Sequence, residues 1–273
     1  MDRRQAIKSM SMSTGAIALL KGNINHAVCR WCYGDIPLEI FAESIAEMGL
    51  KGIDLLKPSE WSVANTYGLK CSMATDNIAS IEHGFNDINI HKKLQKGYKV
   101  LIDQAADAGV EQVIVFSGNT RKLTNEIGLE NCAQGLDVLV KQAEKRGVTL
   151  VMELLNSKVD HVDYQCDNSS WGVALTKKIG SKNFKLLYDV YHMQIMEGDV
   201  IATIRKYHQY YSHYHTGGVP GRYEINDSQE LNYPAIMKAI VEIGYKGFVA
   251  QEFIPTYDDK LAALQEGITI CDV

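Results

Sequence analysis

Four residues in the second half of the chain combine metal-ligand side chains with the spacing of a repeated unit. Glu153, Asp189, His215 and Glu252 each close a short strand-like run: Leu150-Val151-Met152-Glu153, Leu186-Leu187-Tyr188-Asp189, His213-Tyr214-His215 and Ala250-Gln251-Glu252. Their separations are 36, 26 and 37 residues, close to the roughly 30 residues that one strand-plus-helix unit occupies in a barrel. A single acid at a strand end commonly caps the next helix. Four ligand-type residues at one period, all strand-terminal, point instead to one cluster. Three carboxylates gathered over an apolar core would repel one another and resist ionisation, and a divalent cation removes that conflict. Mostly oxygen donors with one imidazole suit Mn²⁺ or Mg²⁺ first, with Co²⁺ and Zn²⁺ admissible. One such ion is the expected cofactor.

The elements that must hold these residues are read from a recurring phrase: an amphipathic stretch, a glycine, then a β-branched run. It occurs at Met48-Gly49-Leu50-Lys51-Gly52-Ile53-Asp54, Ala108-Gly109-Val110, Arg146-Gly147-Val148 and Ile243-Gly244-Tyr245. Each glycine suits the position just past a helix end, where φ must be positive, and each following run suits a buried parallel strand. The pattern predicts strands near 24–29, 51–56, 69–74, 111–116, 148–153, 184–189, 210–215 and 247–252, with the clearest helices over 38–48, 92–108, 129–146, 232–243 and 258–270. Eight strands alternating with helices close as a barrel or lie open as a doubly wound sheet. No Gly-x-Gly-x-x-Gly follows the first strand, and the four ligand-type residues end strands five to eight, which in a barrel is one rim. The expected fold is therefore α/β, a single (β/α)₈ TIM barrel over residues 22–273. Side chains alternate along a strand, so Glu153 shares a face with Val151, and Glu252 with Ala250 and Phe248. Those apolar neighbours place both carboxylates over the barrel interior.

Several motifs carry a resemblance. Met152-Glu153-Leu154-Leu155-Asn156, Tyr188-Asp189-Val190-Tyr191-His192, His213-Tyr214-His215-Thr216-Gly217, Val219-Pro220-Gly221-Arg222 and Gln251-Glu252-Phe253 resemble the xylose-isomerase-like barrel superfamily. The nearest likeness within it is to hydroxypyruvate isomerases, with ketose 3-epimerases as cousins. The likeness runs from about residue 24 to 270, with the specific motifs between 148 and 254. It implies that Glu153 and Glu252 are both metal ligands and the acid/base pair, that Asp189 and His215 complete the metal shell, and that His192 and Arg222 face the substrate. Hydroxypyruvate isomerases generally carry glutamine where this chain has His215, and the epimerases carry histidine there, whereas the Val-Pro-Gly-Arg segment looks like the isomerases. The resemblance thus implies a metal-dependent isomerase of a small hydroxy-keto acid or sugar, with a ketose 3-epimerase as the alternative.

The chemistry asks for such groups. Moving a carbonyl to the next carbon requires loss of a proton from a weak carbon acid, and positive charge on the carbonyl and neighbouring hydroxyl oxygens stabilises the enediolate. One carboxylate on each side of that flat species serves either reaction: the proton goes to the adjacent carbon in isomerisation and returns to the same carbon in epimerisation. His192 follows Asp189 by three residues and is placed to hydrogen-bond a substrate oxygen. Arg222 offers a planar fork to a substrate carboxylate. His83, after strand three, and Asn156, after strand five, lie on the pocket side and complete the substrate-binding candidates. His213 shares a strand face with His215 and suits a supporting role. Trp31 and Phe253 read as pocket walls or as core.

A net charge of -5 supplies no basic face for a polyanion, which argues against nucleic acid and against a DNA endonuclease on a related barrel. The expected partner is a small carbohydrate or hydroxy-keto acid, with a non-catalytic sugar-binding module as the alternative of another class. The body carries no apolar run of the roughly 18 residues that would span a bilayer, so no stable membrane association is expected. The oligomeric state is left open, a homo-oligomer included. Cys29 and Cys32 form one close pair among six scattered cysteines; a lone pair of this kind is read as reduced, buried thiols. Residues 1–21 stand apart, because Arg3-Arg4 followed by the small and apolar stretch Ser9 to Leu20 resembles a twin-arginine export signal. That reading makes the protein periplasmic; an amphipathic leading helix would leave it cytoplasmic.

Overall fold

The computed structural model of the protein describes residues 20–273. Most of the export-signal reading therefore falls on residues outside the described ones. Eight parallel strands close on themselves in sequence order: β1 (Asn25–Cys29), β2 (Gly52–Leu56), β3 (Lys70–Ala74), β4 (Gln112–Val115), β5 (Thr149–Leu154), β6 (Phe184–Asp189), β7 (Tyr211–Thr216) and β8 (Phe248–Gln251). The seam between first and last strands is paired from Asn25 opposite Phe248 to Val28 opposite Gln251, so no sheet edge is left open. Among the described residues no helix is long and apolar enough to cross a membrane.

The helix-stop-strand phrase is realised as expected. Gly49, Gly109, Gly147 and Gly244 have φ of 88°, 71°, 72° and 77°, a backbone region that costs other L-residues energy. Helices Leu38–Glu47, His91–Asp107, Tyr233–Glu242 and Lys260–Cys271 lie within two residues of their expected bounds. The helix Asn125–Arg146 starts four residues before its expected start, because the Thr124 hydroxyl accepts from the Ile127 N–H and caps it there. Further helices at Trp61–Thr66, Ser169–Ile179, Val190–Met196 and Val200–Tyr207 complete the ring; the first, third and fourth, of 6, 7 and 8 residues, give too few turns for a distinctive apolar stripe.

The barrel interior is divided. Met73, Ile114, Val151 and Leu187, from β3 to β6, pack into an apolar plug with Leu55 and Phe116 against it. The β2, β7 and β8 side instead buries Asp54, His213, His215 and Glu252. Alternation along the strands explains the placement of the acids: Glu153 stands two residues above Val151, and Asp189 two above Leu187, so both continue the inward face at its upper end.

Candidate metal centre

Glu153 and His215 fall one residue before the ends of β5 and β7, Asp189 is the last residue of β6, and Glu252 follows β8. Register brings them level, since Asp189 pairs with His215 and Glu153 with Leu187. One ligand atom from each of Glu153, Asp189, His215 and Glu252 lies within 4.8 Å of all the others. His215 Nδ1 faces the acids, 2.7 Å from Glu252 Oε2, 3.4 Å from Glu153 Oε1 and 4.0 Å from Asp189 Oδ2.

All four side chains are buried, and the electrostatics show the strain of that crowding. Burial pushes the Glu153 carboxyl up, with Glu252 adding to it and His215 opposing. Burial likewise pushes Asp189 up to about 7, although Arg222 pulls it down. Glu252 goes the other way: burial raises it, but Arg222, His215 and the Trp31 N–H together hold it well below the usual carboxylate range. For His215, burial favours the neutral ring, yet Cys29, Glu252 and Asp54 around it outweigh that and raise it. The set remains short of positive charge even with Arg222 beside it. Three carboxylates and an imidazole so placed fit a divalent cation that takes oxygen donors.

Around this set the other expected residues take differing places. The loop after β7 is pinned by Arg222 N–H to Gly218 O at 2.8 Å and Gly218 N–H to Tyr223 O at 2.9 Å, which folds Arg222 back over the rim with φ of 61°. Its Nε donates to Glu252 O at 3.2 Å, and its Nη2 donates to Asp189 Oδ2 at 3.2 Å and to Glu252 Oε2. His192 is fully buried in the helix begun by Asp189, whose Oδ1 accepts from the Tyr191 and His192 N–H groups at 2.8 and 3.2 Å. Asn156 lies behind it, with Nδ2 2.7 Å from His192 Nδ1 and Oδ1 accepting from Val159 and Asp160. That contact leaves the ring proton on Nε2, which points toward Asp189 Oδ2 at 3.6 Å and has no hydrogen-bond partner. Burial, with Arg222 next, lowers His192 well below the ordinary value and keeps the ring neutral.

His83 does not join the cluster. It is exposed, with Nδ1 2.8 Å from Arg121 Nη2. Gly84 lies so close to β4's end that a Cβ there would sit 2.2 Å from Phe116 O, and Phe85 and Asn86 donate to Phe116 and Ser117 carbonyls. The chain thus turns inward just after His83 and leaves it outside. Phe253 is buried against Gly267 of the last helix, so it is core. Trp31, half exposed, is no mere wall: its indole N–H donates to Glu252 Oε1 at 2.7 Å. All six cysteines are free and buried.

Sequence reasoning gave no role to Asp54. It is fully buried on β2, 2.8 Å from His215 Nε2 and 3.0 Å from His213 Nε2. The available signal was an acid in the middle of an apolar strand, Gly52-Ile53-Asp54-Leu55-Leu56, where a charge is rarely kept without a partner.

The family described as xylose isomerase-like TIM barrel matches residues 43–270 of the chain. The chain belongs to this family. Among curated proteins, it is similar to a putative hydroxypyruvate isomerase of Homo sapiens, 32% identical over 130 residues that make up 48% of this chain and 46% of that protein. It is also similar to a 2-oxo-tetronate isomerase of Cupriavidus necator, 34% identical over 122 residues, 45% of this chain and 46% of that protein. The matched stretches thus span under half the length of either relative. A solved structure described as an AP endonuclease, family 2, from Brucella melitensis shares the xylose isomerase-like fold, with a TM-score of 0.80 at 22% identity over 88% of this chain and 96% of that one.

Proposed function

We propose that the protein is a metal-dependent isomerase that moves a carbonyl along a small hydroxy-keto acid or ketose. The observation that carries this reading is the convergence of Glu153, Asp189, His215 and Glu252 at the barrel rim, with donor atoms within 4.8 Å of one another. The isomerase names of the two curated relatives agree with it. These four residues would hold one divalent cation, Mn²⁺ or Mg²⁺ first, which when bound supplies the positive charge that makes a proton beside a carbonyl acidic.

The remaining steps belong to the chain's own residues. Glu252, held ionised by Arg222, His215 and Trp31, accepts the carbon-bound proton at a carboxylate oxygen. Glu153, on the strand three positions around the barrel, carries a proton to the carbon that receives it, while the hydroxyl proton of the first carbon passes to the former carbonyl oxygen; the raised proton affinity of Glu153 suits delivery. His192 presents its unpartnered Nε2–H to the substrate oxygen that gains charge, and Asn156 fixes that tautomer from the other ring nitrogen. Arg222 binds a substrate carboxylate through donors not already committed to Glu252 and Asp189, and Trp31 and Tyr191 hold its plane, each ring centre 5.3 Å away.

His215 favours a second register of the same chemistry, since histidine at this place is the epimerase pattern: the proton then returns to the original carbon from the opposite face. A metal-supplemented screen of small ketoses and hydroxy-keto acids in D₂O, with label position read by NMR, tests both. Label on the neighbouring carbon supports the isomerase, and label on the original carbon the epimerase. Absence of exchange into every substrate would leave a sugar-binding module as the better account.

A further inference from the structure

Beneath the donor set, a single carboxylate joins two histidines. Asp54 Oδ2 lies 2.8 Å from His215 Nε2, and Oδ1 lies 3.0 Å from His213 Nε2. The Ser72 hydroxyl donates to Oδ1, and Cys29 Sγ lies 3.6 Å from Oδ2. Asp54, His213 and His215 are each fully buried, and Ser72 and Cys29 nearly or wholly so. The hydrogen bonds to Asp54 come from His215, Ser72 and Cys29, on β7, β3 and β1, whereas His213 Nε2 lies at ion-pair distance without hydrogen-bond geometry.

His215 spends its two ring nitrogens on opposite neighbours. Nδ1 faces Glu252 and Glu153, at 2.7 and 3.4 Å, and Nε2 faces Asp54. A neutral imidazole offers Nδ1 as a ligand atom only when its proton sits on Nε2, and the group bonded to the far nitrogen decides which form is present. An ionised carboxylate can only accept, so it selects Nε2–H. An uncharged amide in its place could instead donate to Nε2 and move the proton to Nδ1, where it would block ligation.

We propose that Asp54 is a positioning residue that fixes the ring orientation and the Nε2–H tautomer of His215, with Ser72 and Cys29 anchoring the carboxylate. The inference rests on the cation site proposed above. It assigns Asp54 no contact with substrate: the residue acts through His215 alone.

The test compares wild type with Asp54→Asn, using Mn²⁺ titration calorimetry on the full chain and circular dichroism to verify folding. Loss of such a partner typically weakens metal affinity by 10–100-fold, and an increase in Kd of about that size is expected. Tautomers are read separately from ¹⁵N-labelled histidines in the Zn²⁺-loaded wild type, a measurement that does not depend on the variant folding: His215 should show a protonated Nε2 and a ligated Nδ1. An Asp54→Asn protein that folds and keeps the wild-type Kd overturns the proposal, as does a ligated Nε2 in the wild type. Two Zn²⁺ per chain, one lost in Asp54→Asn, would also overturn it, because Asp54, His213 and His215 would then be ligands of a second ion. Wild type that binds no divalent ion defeats the cation site itself, and is told apart from the other results by failing before the variant is compared.

Discussion

Replacing Arg222 by lysine separates a substrate that carries a carboxylate from one that does not. In the structure Nε and Nη2 are committed to Glu252 and Asp189, and among the described residues no protein acceptor contacts Nη1. A substrate carboxylate would therefore meet the Nη1 side of the fork. Lysine keeps the charge but has one nitrogen, which cannot hold Glu252 and Asp189 and also reach a substrate. Hydrogen bonds to charged groups contribute about 1.5–3 kcal/mol each, so losing even one weak example, about 1.4 kcal/mol, raises KM about tenfold. The expected outcome of Arg222→Lys is a KM for an acidic substrate at least about tenfold higher, with a smaller change for any neutral ketose the protein also turns over. Steady-state kinetics on both substrates at saturating Mn²⁺ make the comparison, with metal affinity of the variant measured first because Arg222 touches two of the donor residues. An equal rise for both substrates would refute the carboxylate clamp and leave Arg222 as the brace of Glu252 and Asp189.

Three further outcomes follow from the geometry. Glu153→Gln and Glu252→Gln should each abolish nearly all turnover with the fold retained, and the double variant should lose little more, because groups that act as a unit are non-additive; substantial activity in either single variant, measured by proton exchange, removes the acid/base role. Asp189 is pushed up to about 7, above its unfolded value near 3.9, so the folded metal-free protein takes up a proton there as pH falls through that range, and a cation must displace it. The Asp189 proton alone should then weaken apparent Mn²⁺ affinity by about tenfold per pH unit below 7; calorimetric titrations that show a flat Kd between about pH 5.5 and about 7 would contradict the shift. Glu224 is buried and clasps the segment after β8, accepting from Thr256 N–H at 2.5 Å, Thr256 Oγ1–H at 2.9 Å and Tyr257 N–H at 3.3 Å. Glu224→Ala should cost about 2 kcal/mol and lower Tm by several degrees in a thermal scan, and an unchanged Tm would show the clasp to be dispensable.

The barrel was legible because its signals are local. A glycine just past each helix and a β-branched run after it report backbone conformation and burial without any distant partner, and the strands fall within about a residue of expectation. Period-two alternation also told which way Glu153 and Glu252 face. It could not tell which side chains meet across the interior. Asp54 reads as one acid in an apolar strand until His213 and His215, about 160 residues later, arrive opposite it. Trp31 reads as a wall because its N–H finds Glu252 221 residues away. That His83 stands exposed and apart from the donor cluster was not legible, because position after a strand does not reveal the close approach of Gly84 to β4 that turns the chain inward beyond it.

The seam between β1 and β8 sets the order in which the protein can come into being. Contacts across it span most of the chain, 221 residues for Trp31 with Glu252. A nascent chain synthesised at about 5–20 residues per second presents β1 for roughly 10–40 seconds before its last partner strand emerges. Throughout that interval the outer edge of β1 has no native neighbour and is open to pairing with another chain. Glu252 arrives with the closing strand, so the four donor residues of the proposed cation site come together only as the barrel shuts.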